Sequence, residues 1–188
     1  MPTAEEYAQL HLQNEIAAIQ QINERHADID LTLFEKAIIY KYTNDGYAET
    51  NKILRQSQGK TFTEYAQLLQ AALSKLPAFE GLVYRSVYLT EQVLQRYKEA
   101  AKNKEIIEEY AFSSTTINRD VAIFFKGENG QTPNCLFYIY GKTGKHIELI
   151  SKFGKEEEVL FMPNTQFEIL IVTEEIEPGF TTIIMEEI

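Results

Sequence analysis

Apolar residues in the first part of the chain recur at helical spacing, and from residue 82 they gather into short β-branched and aromatic runs. Thr32 and Glu35 have the spacing of a capping box, and Leu33, Phe34, Ala37 and Ile38 then fall on one helical face. Asn44-Asp45-Gly46 carries turn chemistry and is expected to stop that helix. Thr61 and Glu64 repeat the capping pattern before a stripe of Phe62, Tyr65, Leu68, Leu69, Ala72, Leu73 and Leu76 that Pro77 ends. Leu82-Val83-Tyr84-Arg85-Ser86-Val87-Tyr88 suits a strand, and a helix is expected from Glu91 to about Lys102. Further strands are expected near 110–115, 135–140, 146–150, 156–162, 166–173 and 180–187, and a helical stretch over 117–125. Turns are expected at Gly127-Glu128-Asn129-Gly130, at 141–144 and at Pro178-Gly179. Helices first and strands later indicate an α+β fold rather than a βαβ repeat. No repeat, low-complexity tract or linker divides the chain, so a single domain is expected over 1–188, helical to about residue 77 and mainly stranded over 78–188.

Composition narrows the class. With 188 residues, 44% hydrophobic and 24% charged, the chain is expected to bury its own core as an ordinary soluble domain. A formal net charge of −10 argues against nucleic acid or an anionic membrane as the default partner. One cysteine, Cys135, leaves no disulfide framework, and it sits in an apolar run where a small buried hydrophobe is expected. His11, His26 and His146 are scattered, and no metal site is expected. No stretch is long and apolar enough to span a bilayer, and the acidic start Met1-Pro2-Thr3-Ala4-Glu5-Glu6 lacks the basic and apolar regions of a signal peptide.

Three segments carry chemistry. Glu156-Glu157-Glu158 runs into Val159-Leu160-Phe161. Three carboxylates serve equally well as a solvated turn. If the strand begins there, Glu156 and Glu158 share a face, roughly 6–7 Å apart at the backbone, and Glu157 points away. Such a pair divides labour at a glycosidic bond, one group stabilising positive charge and the other handling a proton. Arg85 lies in an otherwise apolar strand, where it either sends its head to water at a sheet edge or faces a cleft and grips phosphate or carboxylate. Ser113-Ser114-Thr115-Thr116, after Phe112, is either a strand end with a helix cap or a row of hydroxyls that orients a carboxylate and a ribose.

In this order the segments resemble the mono-ADP-ribosyltransferases of the arginine-serine-glutamate class, which includes actin-modifying binary toxins and vertebrate ecto-enzymes. The matching residues are Tyr84-Arg85, Phe112 to Thr116, and Glu156-Glu157-Glu158-Val159-Leu160-Phe161. The helical part is similar too, through Tyr42-Thr43, Gly46-Tyr47 and Asn51-Lys52-Ile53-Leu54-Arg55. Thr116 stands where the common pattern has serine, with the hydroxyl retained.

The resemblance implies N-terminal helices packed on a split β-sandwich with a central NAD cleft. It implies NAD as co-substrate, with Arg85 on a phosphate and Ser114 orienting Glu158 against the nicotinamide ribose. Glu158 is then the catalytic carboxylate that stabilises the oxocarbenium ion, and Glu156 activates the acceptor. Glutamate at that first position goes with arginine acceptors in this class. Tyr84 and Thr115 are further expected NAD contacts, with Arg119 on phosphate and Phe124 or Phe125 against the ring. The turn Ile150-Ser151-Lys152-Phe153-Gly154-Lys155 matches the loop that meets the target, and Phe153 is its apolar contact. The implied partners are a target protein with an acceptor arginine and, as a further class, an immunity or regulatory protein. The implied setting is a secreted effector or toxin domain delivered to a target-cell cytoplasm. NAD glycohydrolysis, transfer to a non-arginine or nucleic-acid acceptor, and a catalytically dead NAD-binding module are the competing readings.

Overall fold

A computed structural model describes residues 2–22, 28–124 and 131–188. His26, Phe125 and the turn expected at 127–130 lie outside the described residues. The first elements are helices α1 (Ala4–His11), α2 (Gln13–Gln21) and α3 (Leu33–Lys41). The box that starts α3 forms as its sequence requires. Thr32 Oγ1 accepts the Glu35 N–H at 3.2 Å, and a Glu35 carboxylate oxygen accepts the Thr32 N–H at 2.9 Å. Ala37, Ile38 and Ile39 are then fully buried.

The expected stop at 44–46 does not occur. The backbone passes through a π-helical turn, Tyr42–Gly46, straight into α4 (Tyr47–Gln56). Gly46 keeps a right-handed backbone, φ −71° and ψ −19°, so it is no left-handed cap. Its missing side chain serves close packing instead, because a Cβ there would lie 2.9 Å from the Tyr65 hydroxyl. A Lys41–Asp45 ion pair of 2.7 Å and a Thr43 hydroxyl bond to the Tyr40 carbonyl brace the turn. Helix α5 (Glu64–Ser74) is capped by Thr63 rather than Thr61: the Thr63 hydroxyl accepts the Ala66 N–H. The Thr61 N–H is drawn back to Ser57 Oγ, which leaves Thr61 in the preceding turn.

From Phe79 on, strands dominate: β1 (Phe79–Val87), β2 (Ile106–Glu109), β3 (Ser113–Thr116), β4 (Cys135–His146), β5 (Glu158–Phe161), β6 (Thr165–Thr173) and β7 (Thr181–Glu187). Helix α6 (Glu91–Asn103) joins β1 to β2, and α7 (Arg119–Phe124) follows β3. Among the described residues these strands form one sheet in the order β1-β3-β5-β4-β7-β6-β2, and β1 pairs again with β4. That pairing closes β1, β3, β5 and β4 into a ring.

Strand β4 makes the closure and corrects the expected turn at 141–144. It runs unbroken through both glycines, pairing with β1 up to Gly144 and with β5 at Lys145 and His146. A Cβ on Gly141 would lie 2.7 Å from Phe161 Cζ, and one on Gly144 would lie 2.6 Å from Val159 Cγ1. The glycines admit a close crossing of strands, not a reversal. The segment expected as a strand at 146–150 is the turn after it.

Two apolar clusters hold these elements. One joins the helices to Phe112, Ile147, Ile150 and Leu160, and the other joins α6 to Val83, Ile139, Val159, Phe161 and Met185. The cavity described next borders both.

Candidate active site

A cavity of about 640 Å³ is lined by residues of the π turn, α4, β1, β3 and the segment before β5. Arg85, Ser114 and Glu158 reach it from β1, β3 and β5, which are neighbours in the ring. Strand register decides how each presents itself. Thr116 pairs with Glu158 and Ser114 with Leu160, so Ser114, Thr116 and Glu158 share one face of the sheet. Ser113 and Thr115 face the other side, with Phe161 and Val159.

Glu158 is 5% exposed, and each of its oxygens has a donor. The Ser114 hydroxyl donates to Oε1 at 2.5 Å and the Ser151 hydroxyl to Oε2 at 3.1 Å. Burial pushes the Glu158 carboxyl above its ordinary range, and the negative charge of Glu156 adds to the rise. The two serine hydroxyls and the Arg85 guanidinium oppose it. Arg85 is pinned across β3: its Nη1 donates to Ser113 Oγ at 3.0 Å and to the Ser114 carbonyl at 2.9 Å. Among the described residues its Nε and Nη2 make no hydrogen bond, so half of the fork is free for an anion.

Glu156 lines the cavity by a route other than the expected one. Strand β5 begins at Glu158, so Glu156 and Glu158 are not alternate residues of one strand. Glu157 holds a left-handed backbone, φ +46°, and that kink brings the chain from the Glu156 bend into β5. Burial raises the Glu156 carboxyl as well.

The remaining expected contacts divide. Tyr84 lines the cavity with its ring edge-on to Tyr138, 5.0 Å between centroids. Thr115 also lines it, but its hydroxyl is committed to the Val159 carbonyl at 2.7 Å. Phe153 is 46% exposed at the rim, 5.5 Å from Lys152 Nζ. Arg119 is not brought in: it is paired with Glu177 and donates to the Tyr138 hydroxyl, outside the lining. Phe124 is 82% exposed on α7, and Phe125 lies outside the described residues. No group of three or more His, Cys, Asp or Glu among the described residues is placed to hold a metal.

Several lining residues had no role assigned from sequence. Tyr42 is buried; its hydroxyl accepts from Asn51 Nδ2 at 3.0 Å, and Asn51 Oδ1 is buried without a partner. Arg55 lines the same wall from α4. Asn51 and Arg55, four residues apart, share a face of α4, but α-helical spacing sets Tyr42 and Asn51 about 180° apart, and only the π turn between them brings all three to one wall. Ser113 would have been found by asking what satisfies an arginine on the next strand. Ser151 gives no signal in spacing, because only the turn after β4 folds it onto Glu158.

Residues 13–188 match the ADP-ribosyltransferase exoenzyme family, and the chain belongs to it. Among relatives, Mav of Mycobacterium avium (strain 104) is 33% identical over 153 residues, which is 80% of this chain and 18% of that protein. Vis of Vibrio splendidus (strain 12B01) is 30% identical over 151 residues, 74% of this chain and 59% of Vis. The NAD(+)–protein-arginine ADP-ribosyltransferase Tre1 of Serratia proteamaculans (strain 568) is 30% identical over 153 residues, covering 80% and 31%. The chain thus spans from under a fifth to about three fifths of these relatives. The crystal structure of the ADP-ribosyltransferase Vis in complex with agmatine superposes with a TM-score of 0.67 at 25% identity, covering 94% of this chain and 85% of that one.

Proposed function

We propose that this chain transfers ADP-ribose from NAD⁺ to an arginine side chain of a target protein, acting as a toxin or effector domain. The observation that carries the reading is the buried Glu158 carboxylate, held by two hydroxyls and sharing one cavity with a half-free Arg85 fork and with Glu156. We read the closed ring and the outer strands as the halves of a split sandwich, with the cavity as the NAD cleft. We read the helices and strands together as one domain.

Arg85 binds a phosphate of NAD⁺ through its free nitrogens. Glu158, already fixed, faces the nicotinamide ribose and stabilises the oxocarbenium ion that forms as the bond from C1′ to nicotinamide breaks. The acceptor guanidinium enters past Phe153, loses a proton to Glu156, and its nitrogen closes the new bond to C1′. Partial burial suits Glu156 to that task by raising its proton affinity. Mav, Vis and Tre1 are all named as arginine ADP-ribosyltransferases, and Vis is solved with agmatine, a guanidine small enough to stand in for an arginine side chain. Water in place of the acceptor gives NAD⁺ hydrolysis as the side reaction.

Labelled NAD⁺ offered with and without agmatine tests this. Wild-type chain should release nicotinamide and label agmatine. Glu158→Gln should lower both by about a hundredfold or more, because a neutral amide cannot oppose the cation's charge. Glu156→Gln should suppress agmatine labelling and spare hydrolysis. Unchanged labelling in the Glu156 variant would overturn the acceptor assignment, and turnover in the Glu158 variant the mechanism.

A further inference from the structure

Ser151 stands in the turn between β4 and β5 and is 3% exposed. Its hydroxyl has one proton, and the geometry gives it to Glu158 Oε2. A lone pair of the same oxygen accepts the Phe153 N–H at 3.2 Å. The next residue is tied to the opposite wall: the Lys152 N–H donates to Thr43 Oγ1 at 3.0 Å, and Lys152 Nζ bonds Asn44 Oδ1. One oxygen atom therefore touches both the carboxylate and the backbone of the loop that carries Phe153. The π turn anchors that loop from the other side.

We infer that Ser151 is a positioning residue that locks the second oxygen of Glu158 and couples its orientation to the loop bearing Phe153 and Glu156. The inference rests on Glu158 being the catalytic carboxylate. With Ser114 alone, the carboxylate keeps one donor and can rotate about its terminal bond; with both serines, rotation breaks a hydrogen bond at a carboxylate that is nearly buried. A displacement of the Phe153 backbone on acceptor docking pulls on the same hydroxyl. The groups facing Glu158 are Ser114 on β3, Arg85 on β1, Glu156 in the loop, and Tyr42 of the π turn, with Arg55 of α4 on the same wall. None of them replaces the lost donor at Oε2.

The test uses the full chain with Ser151→Ala and Ser151→Thr. In the alanine variant kcat for NAD⁺ hydrolysis and for agmatine transfer should each fall about tenfold or more, the worth of one hydrogen bond to a charged group. KM for NAD⁺ should stay within about twofold, since no ground-state contact to the dinucleotide is removed. The acid limb of the pH–rate profile should move to higher pH, because a donor that favours the ionised form is gone. Threonine, which keeps the hydroxyl, should restore rate and limb together. An alanine variant with unchanged kcat and unchanged limb overturns the inference, and so does a threonine variant no better than alanine. Carbon-13 NMR titration of Glu158, assigned by loss of its signal in Glu158→Gln, separates this from the functional reading. Its midpoint should rise in Ser151→Ala even in a chain that turned over no NAD⁺, and an unmoved midpoint overturns the inference there too.

Discussion

The chemistry of single residues here is set by what burial does to charge. Glu158 has a folded-state proton affinity above its ordinary value. Between those two values the folded chain binds more protons than the unfolded chain, so stability falls as pH rises through that window. Glu158→Gln should therefore raise Tm at neutral pH relative to wild type, and the gap should close as pH falls to the ordinary carboxylate range. Thermal unfolding of both chains across pH 4–8 checks this; a variant less stable than wild type at neutral pH would contradict it. In the proposed mechanism the same residue must be ionised to oppose an oxocarbenium ion, so the rate should fall on the acid side at a pH above the ordinary carboxylate range. Site and stability pull in opposite directions at this one carboxylate.

At the scale of elements, the glycines of β4 separate what sequence reveals from what it conceals. Gly141→Ala puts a methyl group against the Phe161 ring, itself buried edge-on to Phe167. Overpacking of this kind costs about 1–3 kcal/mol, which is about 2–12 °C in Tm for a chain of this size. A Tm change under about 1 °C, measured by calorimetry, would show that β4 is not packed as tightly as described. Read from sequence, the same glycines signalled a turn, because turn chemistry and close strand crossing call for the same absent side chain. Elements governed by their neighbours in sequence were legible: the Thr32–Glu35 box, the apolar stripe of α5, and strand β1 around Arg85. Positions governed by distant contacts were not. Glu156 was expected on a strand that begins two residues later, because the left-handed turn at Glu157 has no glycine to announce it. Arg119 was expected on phosphate, yet Glu177, from the turn before β7, claims it.

For the whole molecule, the ring of β1, β3, β5 and β4 explains why three residues separated by 73 positions, from Arg85 to Glu158, form one site. Each stands on a strand paired to the next, so the triad is part of the sheet and not of its loops. The opposite wall comes from Tyr42, Asn51 and Arg55, and it reaches the cavity through the π turn. A π turn holds one more residue than the α-helical turn it replaces, and one residue is roughly 100° of rotation about a helix axis. Deletion of Asn44 should leave a continuous helix of normal content by circular dichroism while turning Asn51 and Arg55 away from the cavity and removing the Lys152 anchor. NAD⁺ turnover should then be lost at near-native helicity, and retained turnover would mean that this wall is dispensable. Seen as an insertion, the extra residue acts as an angular offset between the helical and stranded parts. It fixes the length of this segment through the site it aims, although the helix itself would tolerate either count.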